Sequence, residues 1–230
     1  MVFGGIQKLT LLDYPDKAAC TLFAVGCNFN CTFCHNSSHI ELTEGMQTIS
    51  TDEVFEFLRS RQGLLDAVCI SGGEPLMQNE LGDFVHEVKS MGYLVKIDTN
   101  GSYPHRLKEL VKSGAVDFIA MDIKNSPEKY AQTVCVSNYD ISQVEKSKNF
   151  LLSGAIPYEF RTTIVRELHS VFDLLSIAKW IAGADRYYLQ RFQASGDVRQ
   201  SGLSGYNDLE MRQLMQEIEV VLPTVELRGV

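Results

Sequence analysis

No stretch of this sequence approaches the roughly 18 consecutive apolar residues that a membrane-spanning helix needs, so no membrane association is expected. The opening MVFGGIQKLTLLDYPDK lacks the basic start and continuous apolar core of a secretory leader. The cytoplasm is therefore the expected compartment. Positive charge is also scarce. Lys and Arg number 21 against 29 Asp and Glu, a formal net charge of −8. A nucleic-acid surface normally needs a basic face, so no nucleic-acid partner is expected. Internal repeats, low-complexity tracts and linker-like stretches are absent too. A single domain over residues 1–230 is the expectation. Disulfides do not persist in a reducing compartment, so the six cysteines read as ligands or as buried small residues.

What is present fits a globular α/β chain. Apolar residues make up 45%, enough for a sizeable core, and charged residues only 22%. Short β-rich runs cover residues 18–25, 67–71, 94–99, 118–122, 158–165 and 187–192. Helical patterns lie between them, near residues 51–61, 79–91, 104–113, 141–152 and 171–181. A C-terminal tail, residues 206–230, is acidic and helical in pattern, its helix running near 208–222. Ser50 with Glu53 and Asn207 with Glu210 have the spacing of capping boxes. Ser126 before Pro127 reads as an N-cap followed by proline at N1. Strands alternating with helices predict βαβ units and a parallel sheet. Six units fall short of the eight of a full TIM barrel, so the expected fold is a partial (β/α)6 TIM-like barrel with its core over about residues 18–197.

The unusual residues gather at strand ends. Gly26–Cys34 follows the first run, Gly72-Gly73-Glu74 the second, Asp98-Thr99-Asn100-Gly101 closes the third and Asp122-Ile123-Lys124 the fourth. Arg161 lies within the fifth. Strand ends are where α/β barrels assemble active sites. The segment Cys27-Asn28-Phe29-Asn30-Cys31-Thr32-Phe33-Cys34 is C-x3-C-x2-C. Thiolates suit soft metals, and three of them can each hold one iron of a cubane cluster. Iron–sulfur clusters ordinarily take four cysteines, so three leave one iron open, as a catalytic centre requires. Zinc with His35 or His39 as fourth ligand is the competing metal. A non-catalytic electron carrier or zinc module is the competing function. Cys20 and Cys69 sit in apolar strand patterns and read as core, and Cys135 as a loop residue.

C-x3-C-x2-C with Phe33 before the last cysteine, then Gly72-Gly73-Glu74-Pro75 after the next strand, resembles the radical S-adenosylmethionine (SAM) superfamily. Cys34-His35-Asn36, Asp98-Thr99-Asn100-Gly101 and Asp122-Ile123-Lys124 look like the glycyl-radical-enzyme activases. Leu11-Leu12-Asp13-Tyr14-Pro15 and Gly26-Cys27-Asn28-Phe29 look most like activating proteins of anaerobic ribonucleoside-triphosphate reductase. The likeness spans roughly residues 3–197.

The resemblance implies a [4Fe–4S] cluster on Cys27, Cys31 and Cys34, with SAM chelating the fourth iron. It implies that Gly72, Gly73 and Glu74 receive the methionine amino group, while Asp98, Thr99, Asn100, Asp122 and Lys124 hold polar parts of SAM. As in formate-lyase activases, a monovalent cation near Asp98 and Asp122 is implied. Phe33 and His35 would contact adenosine. Formate-lyase activases carry a histidine late in the last barrel strand, where this sequence has Gln193 after Phe192. The eight-cysteine ferredoxin-like insertion of many activases has no counterpart here, so the chain resembles a minimal, single-cluster activase.

The implied reaction is reductive SAM cleavage to a 5′-deoxyadenosyl radical that takes a hydrogen from a glycine Cα of a partner. Asp13 and Arg161 match positions that hold the partner's peptide. The implied partners are a glycyl radical enzyme, anaerobic ribonucleotide reductase first among them, and a flavodoxin- or ferredoxin-type electron donor. Alternatives within the superfamily are the activase of another glycyl radical enzyme, and a small-molecule enzyme like the 7-carboxy-7-deazaguanine synthases.

Overall fold

The computed structural model describes residues 1–194 and 198–230. The C-terminal limit of the expected core, at 197, lies outside the described residues. The chain divides into two compact units: residues 1–28, 38–99 and 103–119 form one, and residues 29–37, 100–102 and 120–230 form the other.

The first unit holds β1 (Val2–Thr10), β2 (Ala19–Ala24), β3 (Ile49–Ser50), α1 (Thr51–Ser60), β4 (Ala67–Gly72), α2 (Leu81–Ser90), β5 (Leu94–Thr99) and α3 (Pro104–Ser113). Its strand order is β3-β1-β2-β4-β5. β2, β4 and β5 run parallel, and β1 lies antiparallel on β2. Apolar runs explain the central strands. Leu22 of β2, Val68 and Ile70 of β4, and Val95 and Ile97 of β5 are all fully buried. Each such side chain contributes about 1.5–3 kcal/mol over leaving it in water. Cys20 and Cys69 are among these core residues, as their patterns suggested. Ser50 and Glu53 form the expected capping box on α1.

β1 escapes sequence reasoning. Val2–Thr10 contains Gly4 and Gly5, and its pairing with β2 has two register shifts. Irregular pairing erases the period-2 alternation that marks a strand.

The chain passes into the second unit within β6 (Phe118–Asp122). There follow α4 (Tyr130–Val134), α5 (Ser142–Leu152), β7 (Tyr158–Ile164), α6 (Val171–Trp180), β8 (Tyr187–Arg191), α7 (Asp208–Glu219) and β9 (Val225–Arg228), with strand order β6-β7-β8-β9. β7, β8 and β9 are parallel. Asn207 and Glu210 form the expected capping box on α7, and Ser170 with Asp173 forms another on α6.

Two expectations change here. Ser126 makes no side-chain cap, and Pro127–Lys129 is a 3-10 turn; the Ser126 N–H is held instead by Asn125 Oδ1 at 2.7 Å. The tail is not helical to its end. After Pro223 it forms β9, which pairs with β8 from Tyr187↔Val225 to Gln190↔Arg228. Four residues are too few to show a period, so only the waiting edge of β8 reveals this strand. Among the described residues no helix is long and apolar enough to cross a membrane.

Candidate functional site

In the first unit the site is built mostly from backbone. β2 and β4 pair in register from Ala19↔Ala67 to Ala24↔Gly72, so the loops after both strands leave at the same level. Gly73 N donates to Ala24 O at 2.8 Å, and Glu74 N donates to Gly26 O at 2.7 Å. Glycine is required at this crossing. Gly72 has φ +98°, and a Cβ on Gly73 would lie 2.1 Å from Gly26 O. On the other side of the loop, Gly26 N donates to His39 O at 2.8 Å and Cys27 N to Ile40 O at 3.0 Å. Cys27, half-buried, is thus held between two backbone layers.

Glu74 is fully buried. Its Oε1 accepts from Leu76 N at 3.0 Å and from the Thr99 hydroxyl at 2.8 Å. Asp98 Oδ1 meets Lys96 Nζ at 2.6 Å, and its Oδ2 accepts from Ser71 at 3.0 Å. The ends of β4 and β5 therefore form one polar cluster of Ser71, Glu74, Asp98 and Thr99. The Asp13 carboxylate accepts from the Thr21 hydroxyl at 2.5 Å.

In the second unit Cys31, Phe33 and Cys34 occupy a tight turn, with Cys34 N donating to Cys31 O at 3.3 Å. Cys31 and Phe33 are buried, and Cys34 is partly so. Burial pushes the Cys34 thiol up, against the pull of the Lys124 ammonium nearby. Burial acts on Lys124 in the opposite sense, but the Asp122 carboxylate and charge on Cys31 raise it overall, so it stays protonated. Asp122 is clamped on both oxygens. Lys124 Nζ lies 2.9 Å from Oδ2, and Arg161 Nε donates to Oδ1 at 2.9 Å. Asn100 lies in the turn after β5, where its Oδ1 accepts from the Ser102 N–H at 2.9 Å. His35 is exposed; its Nε2–H donates to Gln193 O at 2.8 Å, and its ring stacks on Phe192 at 5.2 Å.

His35 and Gln193 are thus brought together through the Gln193 backbone, while the Gln193 side chain faces solvent. Sequence reasoning missed His169. It is fully buried, its Nδ1 accepts from Val165 N at 3.1 Å, and its Nε2 meets Lys124 O at 2.9 Å. A carbonyl only accepts, so Nε2 carries the proton and the ring is neutral. Burial lowers its basicity accordingly. His169 therefore braces the backbone of Lys124. Only its place after an apolar strand hinted at this.

All six cysteines carry thiols rather than disulfides. Among the described residues no three His, Cys, Asp or Glu side chains gather about one metal-ion position. A cubane asks for something else, one thiolate at each of several irons. The donor set fits that demand, with three thiols within eight residues and, in the second unit, a protonated lysine near Cys31 and Cys34.

The family model described as "Radical SAM superfamily" matches residues 21–164. Over 196 residues the chain is 33% identical to "Putative glycyl-radical enzyme activating enzyme MJ1227" of Methanocaldococcus jannaschii, covering 82% of this chain and 79% of the relative. It is 30% identical over 133 residues to "Pyruvate formate-lyase-activating enzyme" of Staphylococcus aureus, covering 53% of this chain and 52% of that one. Among solved structures, SuiB of Streptococcus suis bound to its precursor peptide SuiA superposes with a TM-score of 0.73 at 13% identity. That match covers 91% of this chain and 48% of SuiB, so the chain spans about half of that structure. The likeness shows the fold class, α/β of the partial (β/α)6 TIM-like type, as the strand and helix pattern led us to expect.

Proposed function

The chain belongs to the radical SAM superfamily, and from that premise we propose that it activates a glycyl radical enzyme by removing hydrogen from one glycine Cα of its partner. The observation that carries this reading is the backbone crossing between Gly26 and Gly73-Glu74. It ties the first cluster cysteine to the turn that would receive the amino group of SAM. When bound, the cluster and SAM supply a one-electron carbon–sulfur cleavage, and hence the carbon radical that does this chemistry.

This chain's residues hold and orient. Cys27, Cys31 and Cys34 hold the cluster. The backbone of Gly72 and Gly73 with the Glu74 carboxylate suits an ammonium group, which wants acceptors at close approach. Asp98, Thr99, Asn100, Asp122 and Lys124 would hold polar parts of SAM. Phe33, His35 and Gln193 would contact adenosine, with His35 steadied by Gln193 O and Phe192. Asp13 and Arg161 position the partner's glycine loop. Arg161 offers a planar fork of donors that matches peptide carbonyls while its Nε stays on Asp122.

The partner in this proposal is anaerobic ribonucleoside-triphosphate reductase, supported by Leu11–Pro15 and Gly26–Phe29. The electron donor is of flavodoxin or ferredoxin type, and the setting is the cytoplasm. A monovalent cation near Asp98 and Asp122 belongs to the proposal too. It would share Asp98 with Lys96 and Asp122 with Lys124. Sodium- or potassium-dependent SAM affinity checks it.

Anaerobic reconstitution with iron and sulfide, then reduction, tests the whole reading by electron paramagnetic resonance. A reduced-cluster signal that changes shape with SAM is expected. Adding the reductase should then produce a glycyl doublet. A cluster signal indifferent to SAM, or zinc alone in the purified protein, refutes it. Turnover of 6-carboxytetrahydropterin without a protein partner would move the chain to the small-molecule branch.

A further inference from the structure

One buried acid takes no part in the function proposed above. Glu159 on β7 is 1% exposed. A carboxylate so deeply buried needs charge-assisted partners. Its main partner comes from the far end of the chain. Arg228 of β9 forms a two-pronged pair with it, Nη1 to Oε1 at 2.8 Å and Nη2 to Oε2 at 3.0 Å. To reach Glu159 the guanidinium crosses β8, lying 3.8 Å from the centre of the Tyr188 ring.

Glu159 and Arg161 are two apart on β7, hence on the same face, and Arg161 Nη1 is 4.0 Å from Glu159 Oε1. Arg161 in turn holds Asp122, and Asp122 holds Lys124. Charges thus alternate in one line: Arg228, Glu159, Arg161, Asp122, Lys124. Arg161 stands between two acids, and the two-pronged hold of Arg228 on Glu159 leaves Arg161 Nε to Asp122.

We propose that Arg228 of the C-terminal strand is a positioning residue. By neutralising Glu159 it keeps Arg161 turned to Asp122 and ready for the partner's peptide. The inference rests on the proposed role of Arg161, but its structural half stands alone. Without Arg228, Glu159 faces Arg161 as its nearest cation and draws it away from Asp122. The tail thereby acquires a task beyond covering a sheet edge.

The test uses the full chain without cluster or SAM. Solvent exchange of the Arg161 Nε–H is followed by NMR, the signal being assigned by its loss in Arg161→Lys. Arg228→Met is expected to speed that exchange about tenfold, the scale on which an orienting partner acts. Glu159→Gln combined with Arg228→Met removes the competing charge and should restore slow exchange. In the reconstituted enzyme, glycyl-radical yield should follow the same order, down about tenfold and then recovered. SAM cleavage without partner should change less. Wild-type exchange in Arg228→Met overturns the proposal, as does a double variant no better than the single one. If Arg228→Met fails to fold, Arg228→Gln keeps a hydrogen-bond donor without the charge. Faster exchange is expected there, and unchanged exchange overturns the idea. If no variant or wild type forms a glycyl radical, the proposed function fails while the exchange result still decides the role of Arg228.

Discussion

The two units, each proposed to hold part of a polar ligand, are built there from different materials. In the first, the parts are peptide groups and glycines: Gly72, Gly73, Gly26 O and the Leu76 N–H on Glu74. In the second, they are charged side chains: Lys124, Asp122, Arg161, Glu159 and Arg228. A backbone cradle tolerates no added volume, and its charges, Glu74 and the Asp98–Lys96 pair, sit beside it. A charge line tolerates reshaping but not the loss of one of its members. The first unit should therefore fail by steric insult, and the second by loss of electrical balance.

The sharpest attempt to break that contrast is Gly73→Ala. One methyl group placed 2.1 Å from Gly26 O must push the Cys27 loop and the Glu74 turn apart. SAM binding should weaken by about 100-fold, and overpacking should cost about 1–3 kcal/mol of stability. Equilibrium binding and thermal melting read both. Wild-type binding by this variant would remove the cradle.

Next in size is Arg161→Ala. Dithionite-driven SAM cleavage should be spared, while partner activation should fall about 30-fold, the low end of what truncating one member of a buried charge pair costs. Parallel assays of methionine release and glycyl-radical yield separate the two. Equal losses would mean that the charge line serves SAM rather than the partner.

A smaller effect concerns pH. His169 is neutral in the fold and less basic than usual because it is buried. The unfolded chain therefore takes up a proton near the ordinary value of about 6.5 that the native chain refuses. Stability from this residue is present above that pH and is lost as pH falls through it. Denaturant titrations at pH 7.5 and 5.5 should show the drop, and His169→Gln should shrink it. An unchanged drop would show that His169 does not brace Lys124 as a neutral ring.

The smallest expected change lies away from both halves. Asn207→Ala removes a cap from α7 and should cost about 1 kcal/mol of stability, with SAM cleavage unaffected. A large loss of activity would tie α7 to the site.

Much of this was legible because its causes are local. The ends of β4, β5 and β6 carry motifs whose residue types suit one chemistry, and the boundaries of β5, β6 and α3 follow the expected residues. Capping boxes at Ser50 and Asn207 need only four consecutive residues, and both form. Arg161 was visible as a charge inside a strand pattern. What stayed hidden depends on partners distant in sequence. β1 was masked by its bulges and β9 by its shortness. His169 looked like any histidine after a strand until Lys124 O was found 45 residues away. Glu159 and Arg228 stand 69 residues apart, with no spacing to connect them.

Residue order settles which thiols, glycines and acids are present, and at which strand ends. Residue identity and spacing are properties of the chain, and periodicity is enough to place them on strands and turns. Tertiary structure alone decided which groups neutralise one another. It gave Asp122 two cations, turned His35 onto the carbonyl of Gln193, and brought the last strand back to Glu159. Hydrogen bonds and ion pairs act over a few ångströms of space, whatever their separation along the chain, so only the folded arrangement assigns them.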